Sequence, residues 1–132
     1  MEYSDKKILV VEDDDMLRNI IISQLIGRYL VVPARDGEEA LRQVELSRPN
    51  LIVLDLLLPK IDGFGVLEKL RAMPDPALAQ TSVLIITNLT DKESMGRAAK
   101  FKVEAYFMKA DVTMGILTKR IDRICTAGPI KS

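Results

Sequence analysis

The chain has 132 residues, 48% of them hydrophobic, which suits one compact domain with a single core and leaves little room for a second. Nineteen Lys and Arg balance nineteen Asp and Glu, so no global basic field exists to hold nucleic acid or an anionic membrane. The absence of histidine excludes Ser-His-Asp catalysis, His-ligated zinc and a phosphohistidine carrier, and the single cysteine, Cys125, reads as a packed thiol. No secretory signal precedes the first strand and no apolar run approaches the roughly 20 residues of a membrane span, so the expected compartment is the cytoplasm.

In chain order, Ile8 to Val11 is an uninterrupted apolar run of the kind buried on both faces of a parallel sheet, and it ends in Glu12, Asp13, Asp14 and Asp15. A helix follows, with Asp14 as N-cap and Leu17, Ile20, Ile21 and Leu25 as its apolar stripe. Leu30 to Ala34 reads as a short strand, and Pro33 places it at an edge. Asp36 with Glu39 has a capping-box shape and opens a helix to about Ser47, with Ala40, Leu41 and Val44 inward. Leu51 to Leu54 is the next buried run and ends in Asp55, after which Pro59 and Asp62-Gly63 turn the chain. Gly63 to about Met73 is helical through Phe64, Leu67 and Leu70, stopping before Pro74-Asp75-Pro76. Val83 to Ile86 is another buried run, ending in Thr87 and Asn88. Asp91 to about Lys100 is the weakest helix, because Gly96 sits inside it and its apolar side is only Met95, Ala98 and Ala99. Ala105 to Met108 is the last strand and ends in Lys109. Thr113 then caps a helix with Ile116, Leu117, Ile121 and Ile124 inward, before Gly128-Pro129 breaks the chain.

Five strands alternating with five helices through short, right-handed crossovers predict an α/β fold, a parallel sheet with helices on both faces. Its strand ends bring Glu12, Asp13, Asp55, Thr87 and Lys109 to one rim, where open α/β sheets bind ligands. Carboxylates about 4 Å apart repel by about 4 kcal/mol at an effective dielectric near 20. A hard divalent cation relieves this, and the donor set matches Mg²⁺, with Mn²⁺ able to take its place. Asp13 and Asp55 are the expected direct ligands, Glu12 one acting through water, and the Leu57 carbonyl a further oxygen. Thr87 and Lys109 beside such a metal are the parts that stabilise a transferring phosphoryl group, and Asp55 is then a candidate nucleophile forming an aspartyl phosphate. Asp14, Asp36, Asp62 and Asp91 are read as helix caps, and Tyr106 taken alone as half-buried packing on an edge strand.

Glu12-Asp13 after the first strand, Asp55 within Leu-Asp-Leu-Leu-Leu-Pro-Lys-Ile-Asp-Gly, Thr87, Tyr106 and Lys109 together resemble the receiver domain of two-component response regulators, from about Lys7 to Ile124. The resemblance implies a flavodoxin-like (βα)5 doubly wound sheet of strand order 2-1-3-4-5, and a single receiver domain over 1–132, with its core at about 7–126 and a tail at 127–132. It implies that Asp55 accepts a phosphoryl group, with Mg²⁺, from a sensor histidine kinase or histidine phosphotransfer protein. Thr87 then moves to bond the phosphate, and Tyr106 rotates inward. Output is expected through the last two helices and fifth strand to a downstream protein, from a monomer or phosphorylation-dependent dimer, with no direct contact to nucleic acid or membrane. Such a domain is a phosphoacceptor rather than an enzyme. The chain departs from the family pattern at Ala110, where a proline with a cis peptide is usual, and at Asn88, where a small residue is commoner. Leu57 and Leu89 flank the site with apolar groups, from which a long-lived phosphoryl state is expected. The alternative carried forward is a receiver-like scaffold that binds its partner without phosphorylation.

Overall fold

The computed structural model describes residues 5–126, so the break expected at Gly128-Pro129 lies outside the described residues. Strands β1 to β5 are Lys7–Val11, Leu30–Ala34, Leu51–Leu54, Ser82–Thr87 and Ala105–Met108. Helices α1 to α6 are Asp15–Leu25, Gly37–Ser47, Gly63–Arg71, Pro76–Ala79, Lys92–Ala99 and Met114–Thr126. The strands form one parallel sheet in the order β2-β1-β3-β4-β5, the expected doubly wound arrangement. Pro33 lies on the edge strand β2, opposite Val10, where its missing N–H interrupts no second ladder.

The period-2 alternation of strands divides the apolar runs between two cores. Ile8, Val10, Leu51, Val53, Leu84 and Ile86 pack against α1 and α6 through Ile21, Leu25, Leu117, Ile121 and Cys125. Leu9, Val11, Ile52, Leu54, Val83 and Ile85 face the other way, onto Ala40 and Val44 of α2, Phe64, Leu67 and Leu70 of α3, Leu78 of α4 and Ala98 of α5. Each fully buried aliphatic side chain contributes about 1.5–3 kcal/mol, so the three central strands, apolar on both faces, hold the sheet and fix where its rim lies.

The four predicted aspartate caps form, and Thr113 Oγ1 accepts the Ile116 N–H at 3.1 Å. Asp14 accepts from the N–H of Met16 and Leu17, Asp36 from Glu39, Asp62 from Gly65 and Asp91 from Ser94. Glu39 reaches back to the Arg35 N–H at 2.7 Å, one residue before the cap. A sixth helix, α4, follows the Pro74-Asp75 break, where the sequence pattern predicts none. Asp75 caps it through the Ala77 N–H, and Pro76, which ends a helix when interior, is tolerated at a first turn.

Three inward assignments are corrected. Ile20 is 41% exposed and Ile116 50% exposed, and Ala99 also faces solvent. The buried stripe of α1 is Arg18, Ile21 and Leu25, and that of α6 is Leu117, Ile121 and Cys125. At 3.6 residues per turn these sets keep one face, while Ile20 and Ile116 are each one residue, about 100°, off it.

Candidate functional site

Sheet register assembles the rim. Val11 pairs with Leu54, so Glu12 and Asp55 emerge side by side, and the Asp55 N–H donates to the Val11 carbonyl at 3.1 Å. Thr87 pairs with Met108, and the next N–H, that of Lys109, donates to the Thr87 carbonyl at 2.8 Å. Carboxylate oxygens of Glu12, Asp13 and Asp55 come within 4.8 Å of one another. Glu12 and Asp55 are buried, whereas Asp13 is exposed and makes no hydrogen bond or ion pair among the described residues.

Lys109 Nζ stands 2.7 Å from Asp55 Oδ2 and 2.9 Å from Glu12 Oε1. The first contact is a hydrogen bond and the second an ion pair to the sealed Glu12 Oε1. Glu12 Oε2 accepts the Asp14 N–H at 3.0 Å. Burial pushes the Glu12 carboxyl above the ordinary carboxylate range, against the pull of the Asp14 N–H and Lys109. Burial would lower the Lys109 ammonium, but its bonds to Asp55 and Glu12 outweigh that and raise it. Three carboxylates against one ammonium leave two net negative charges, a charge a divalent cation cancels.

The loop after β3 is folded onto Asp55. Leu57 N–H donates to Asp55 Oδ1 at 3.1 Å, and Gly63 N–H returns to the Leu56 carbonyl at 2.9 Å. A Cβ at Gly63 would lie 2.5 Å from Leu56 Cα and 2.6 Å from the Asp55 carbonyl oxygen, so only glycine permits this closure. The Asp62-Gly63 turn recognised in the sequence is therefore what packs the backbone of the acid against α3. The Leu57 carbonyl accepts no hydrogen bond among the described residues.

Thr87 is fully buried, and its Oγ1 accepts the Leu89 N–H at 3.4 Å, while its hydroxyl donates to no group among the described residues. Tyr106, on the edge strand and half-buried, donates its hydroxyl to the Leu89 carbonyl at 2.7 Å. Burial, then the charges of Asp91 and Asp55, hold the Tyr106 phenol above its usual value. Thr87 and Tyr106 thus grip the two sides of one peptide-bearing residue, Leu89, at the entry to α5. Asn88 points to solvent. Leu57, Leu89 and Asp13 share the wall of a cavity of about 340 Å³ beside the acids.

The Lys109–Ala110 peptide is trans, as are all peptides of the described residues. Lys109 reaches both acids without the proline the family uses. Arg18 is a residue that sequence reasoning missed. Its guanidinium donates to the Glu12 carbonyl at 2.9 Å and to Asp15 at 2.5 Å, tying α1 to the acidic turn. The available signal was its spacing, three before Ile21 and seven before Leu25 on the buried stripe.

A family model described as the response regulator receiver domain matches residues 8–122. The chain belongs to that family. The receiver is 40% identical over 111 residues to "Probable transcriptional regulator ycf27" of Cyanophora paradoxa, covering 83% of this chain and 44% of that protein. The chain spans less than half the length of the first curated relatives it matches. Among solved structures, the receiver domain of a signal transduction histidine kinase from Syntrophus aciditrophicus superposes with a TM-score of 0.82 at 27% identity, over 96% of this chain and 95% of that one. The phosphorylated cyanobacterial phytochrome response regulator RcpA superposes with a TM-score of 0.80 at 29% identity, over 98% of this chain and all of that one. This receiver thus belongs to two-component signalling, in which receiver domains partner with histidine kinases and are typically phosphoacceptors rather than enzymes. Its acidic triad is typical of a receiver Mg²⁺ site. No helix of the described residues is long and apolar enough to cross a membrane.

Proposed function

We propose that this receiver accepts a phosphoryl group on Asp55 from the phosphohistidine of a sensor histidine kinase or a histidine phosphotransfer protein. An Asp55 carboxylate oxygen attacks phosphorus, the donor's P–N bond breaks, and the freed imidazole takes its electron pair. The observation that carries this reading is Asp55 itself: buried, bonded at 2.7 Å by Lys109, and crowded by Glu12 and Asp13.

The donor set fits Mg²⁺, since the unpartnered Asp13 carboxylate and the Leu57 carbonyl are hard oxygens with coordination capacity unspent. Asp13, Asp55 and the Leu57 carbonyl would hold it directly and Glu12 through water; the ion supplies charge neutralisation on the transferring oxygens. Lys109, bonded to Asp55 Oδ2, stabilises the incoming dianion, and the uncommitted Thr87 hydroxyl donates to it. A Thr87 that turns to the phosphate gives up the Leu89 N–H, and the pull is transmitted through Leu89 to Tyr106 and α5. That alters the surface of α5, β5 and α6, the expected contact for a downstream protein. Leu57 and Leu89 keep apolar groups at the cavity wall, which supports a slow loss of phosphate by hydrolysis.

Ala110 and Asn88 were the grounds for a phosphorylation-independent scaffold. The Lys109 contact across a trans peptide and the outward Asn88 favour the acceptor reading. Adding beryllofluoride with Mg²⁺ tests it: the Tyr106 resonance should shift in the wild type and stay fixed in Asp55→Asn. No response in the wild type would leave the scaffold.

A further inference from the structure

The cavity beside the acids has a second wall that the site described above does not use. It belongs to α5 and consists of Arg97, whose guanidinium lies over the Phe64 ring at 3.9 Å from the centroid. Side chains of a helix lean toward its N-terminus, and the N-terminus of α5 follows the rim where β4 ends; Arg97 lines both this cavity and the adjoining one formed with Glu68, Lys100 and Phe101. Asp13 lines the cavity beside the acids, as do Leu57 and Leu89.

Arg97 makes no hydrogen bond and no ion pair among the described residues, although Asp13 and Asp62 both line the cavity. Its N–H donors are therefore uncommitted, and its fork matches a tetrahedral oxyanion better than a single carboxylate oxygen would use it. The ring of Phe64 supports the flat guanidinium and limits the rotamers it must lose on binding. Ala98 is the one buried residue of α5, so the helix has little packing to lose when Arg97 shifts by the length of a contact.

We propose that Arg97 is a phosphoryl-binding residue of this site, bonding the phosphoryl group on Asp55 from the α5 wall of the cavity. The inference rests on the acceptor reading and adds a direct tie between the phosphoryl group and α5, beside the route through Thr87 and Leu89. A cation–π staple that merely holds α3 to α5 is the competing role, and the two differ in what they do to ligand affinity.

The test measures beryllofluoride affinity in saturating Mg²⁺, Mg²⁺ affinity alone, and thermal unfolding for wild type, Arg97→Ala, Arg97→Lys and Phe64→Leu. Loss of one charge-assisted bond predicts beryllofluoride binding about tenfold weaker in Arg97→Ala, with partial recovery in Arg97→Lys. Mg²⁺ affinity should hold or tighten, since a cation has been removed from the cavity. Unchanged beryllofluoride affinity in Arg97→Ala overturns the inference and leaves the acceptor reading standing. A parallel loss of Mg²⁺ affinity and melting temperature, reproduced by Phe64→Leu, also overturns it, in favour of the staple. A wild type that binds Mg²⁺ but no beryllofluoride sinks the acceptor reading and this inference with it.

Discussion

The helices on either side of β5 are anchored very differently. α6 buries Leu117, Ile121 and Cys125, and Asp122 ties it to the α1–β2 corner, accepting the Tyr29 hydroxyl at 2.5 Å and pairing with Arg28. α5 buries one residue, Ala98, and carries an exposed glycine at 96. What holds α5 comes largely from elsewhere: Tyr106 bonds the Leu89 carbonyl before it, Arg97 lies on Phe64, and Arg71 bonds the carbonyls of Phe101 and Lys102 after it. A helix with little core of its own opens at low free energy, and its position is set by the few side chains that grip its ends. α5 is therefore the element that chemistry at Thr87 can move, and α6 the one that stays.

The largest expected contrast is in packing. Leu117→Ala should cost about 2–5 kcal/mol in urea unfolding, because the site is fully buried against the sheet. Met95→Ala in α5, half-buried, should cost under about 1 kcal/mol. Comparable losses would mean that α5 is packed as firmly as α6, and the contrast would fail.

Alkaline titration comes next and tests the anchoring of α6. Burial pushes the Cys125 thiol up from 9.0 to about 11, and burial with the Asp122 bond raises the Tyr29 phenol as well. Both groups are held neutral by the fold, so the stability they lend is complete below their ordinary values. The Cys125 share is lost as pH climbs from about 9 through 11, and the Tyr29 share at higher pH still. Below pH 9 Cys125 should resist a thiol reagent unless the chain is unfolded; rapid labelling at pH 8 would show that α6 opens as readily as α5.

The smaller effects fall on α5. A Cβ at Gly96 meets nothing within 4 Å and its φ is not left-handed, so Gly96→Ala should stabilise by about 0.5–1 kcal/mol and slow amide exchange across 92–99. Acid should do the reverse at the same helix. The Ser94 N–H holds the Asp91 carboxyl below its ordinary value, so the cap is made above the unfolded pKa near 3.8 and lost as pH falls through the folded one. Exchange in α5 should quicken at pH 3 before that in α6, and equal acceleration in both would count against the assignment.

The sequence by itself determined the parallel sheet, because apolar runs without alternation have only doubly covered strands to occupy. It also determined the four aspartate caps and the ends of the strands, and with those the identity of Glu12, Asp13, Asp55, Thr87 and Lys109 as rim residues. Their spacing along the chain is local chemistry, readable from backbone periodicity and turn residues. Only the tertiary structure decided which groups meet. Lys109 and Asp55 are brought to 2.7 Å by the registers of β1, β3, β4 and β5, which no local pattern carries. The same holds for Arg18 on the buried stripe of α1 and for Arg97 over Phe64. A long charged side chain looks alike in a sequence whether it lies in water or bridges two elements, and only the packing of the second element tells them apart.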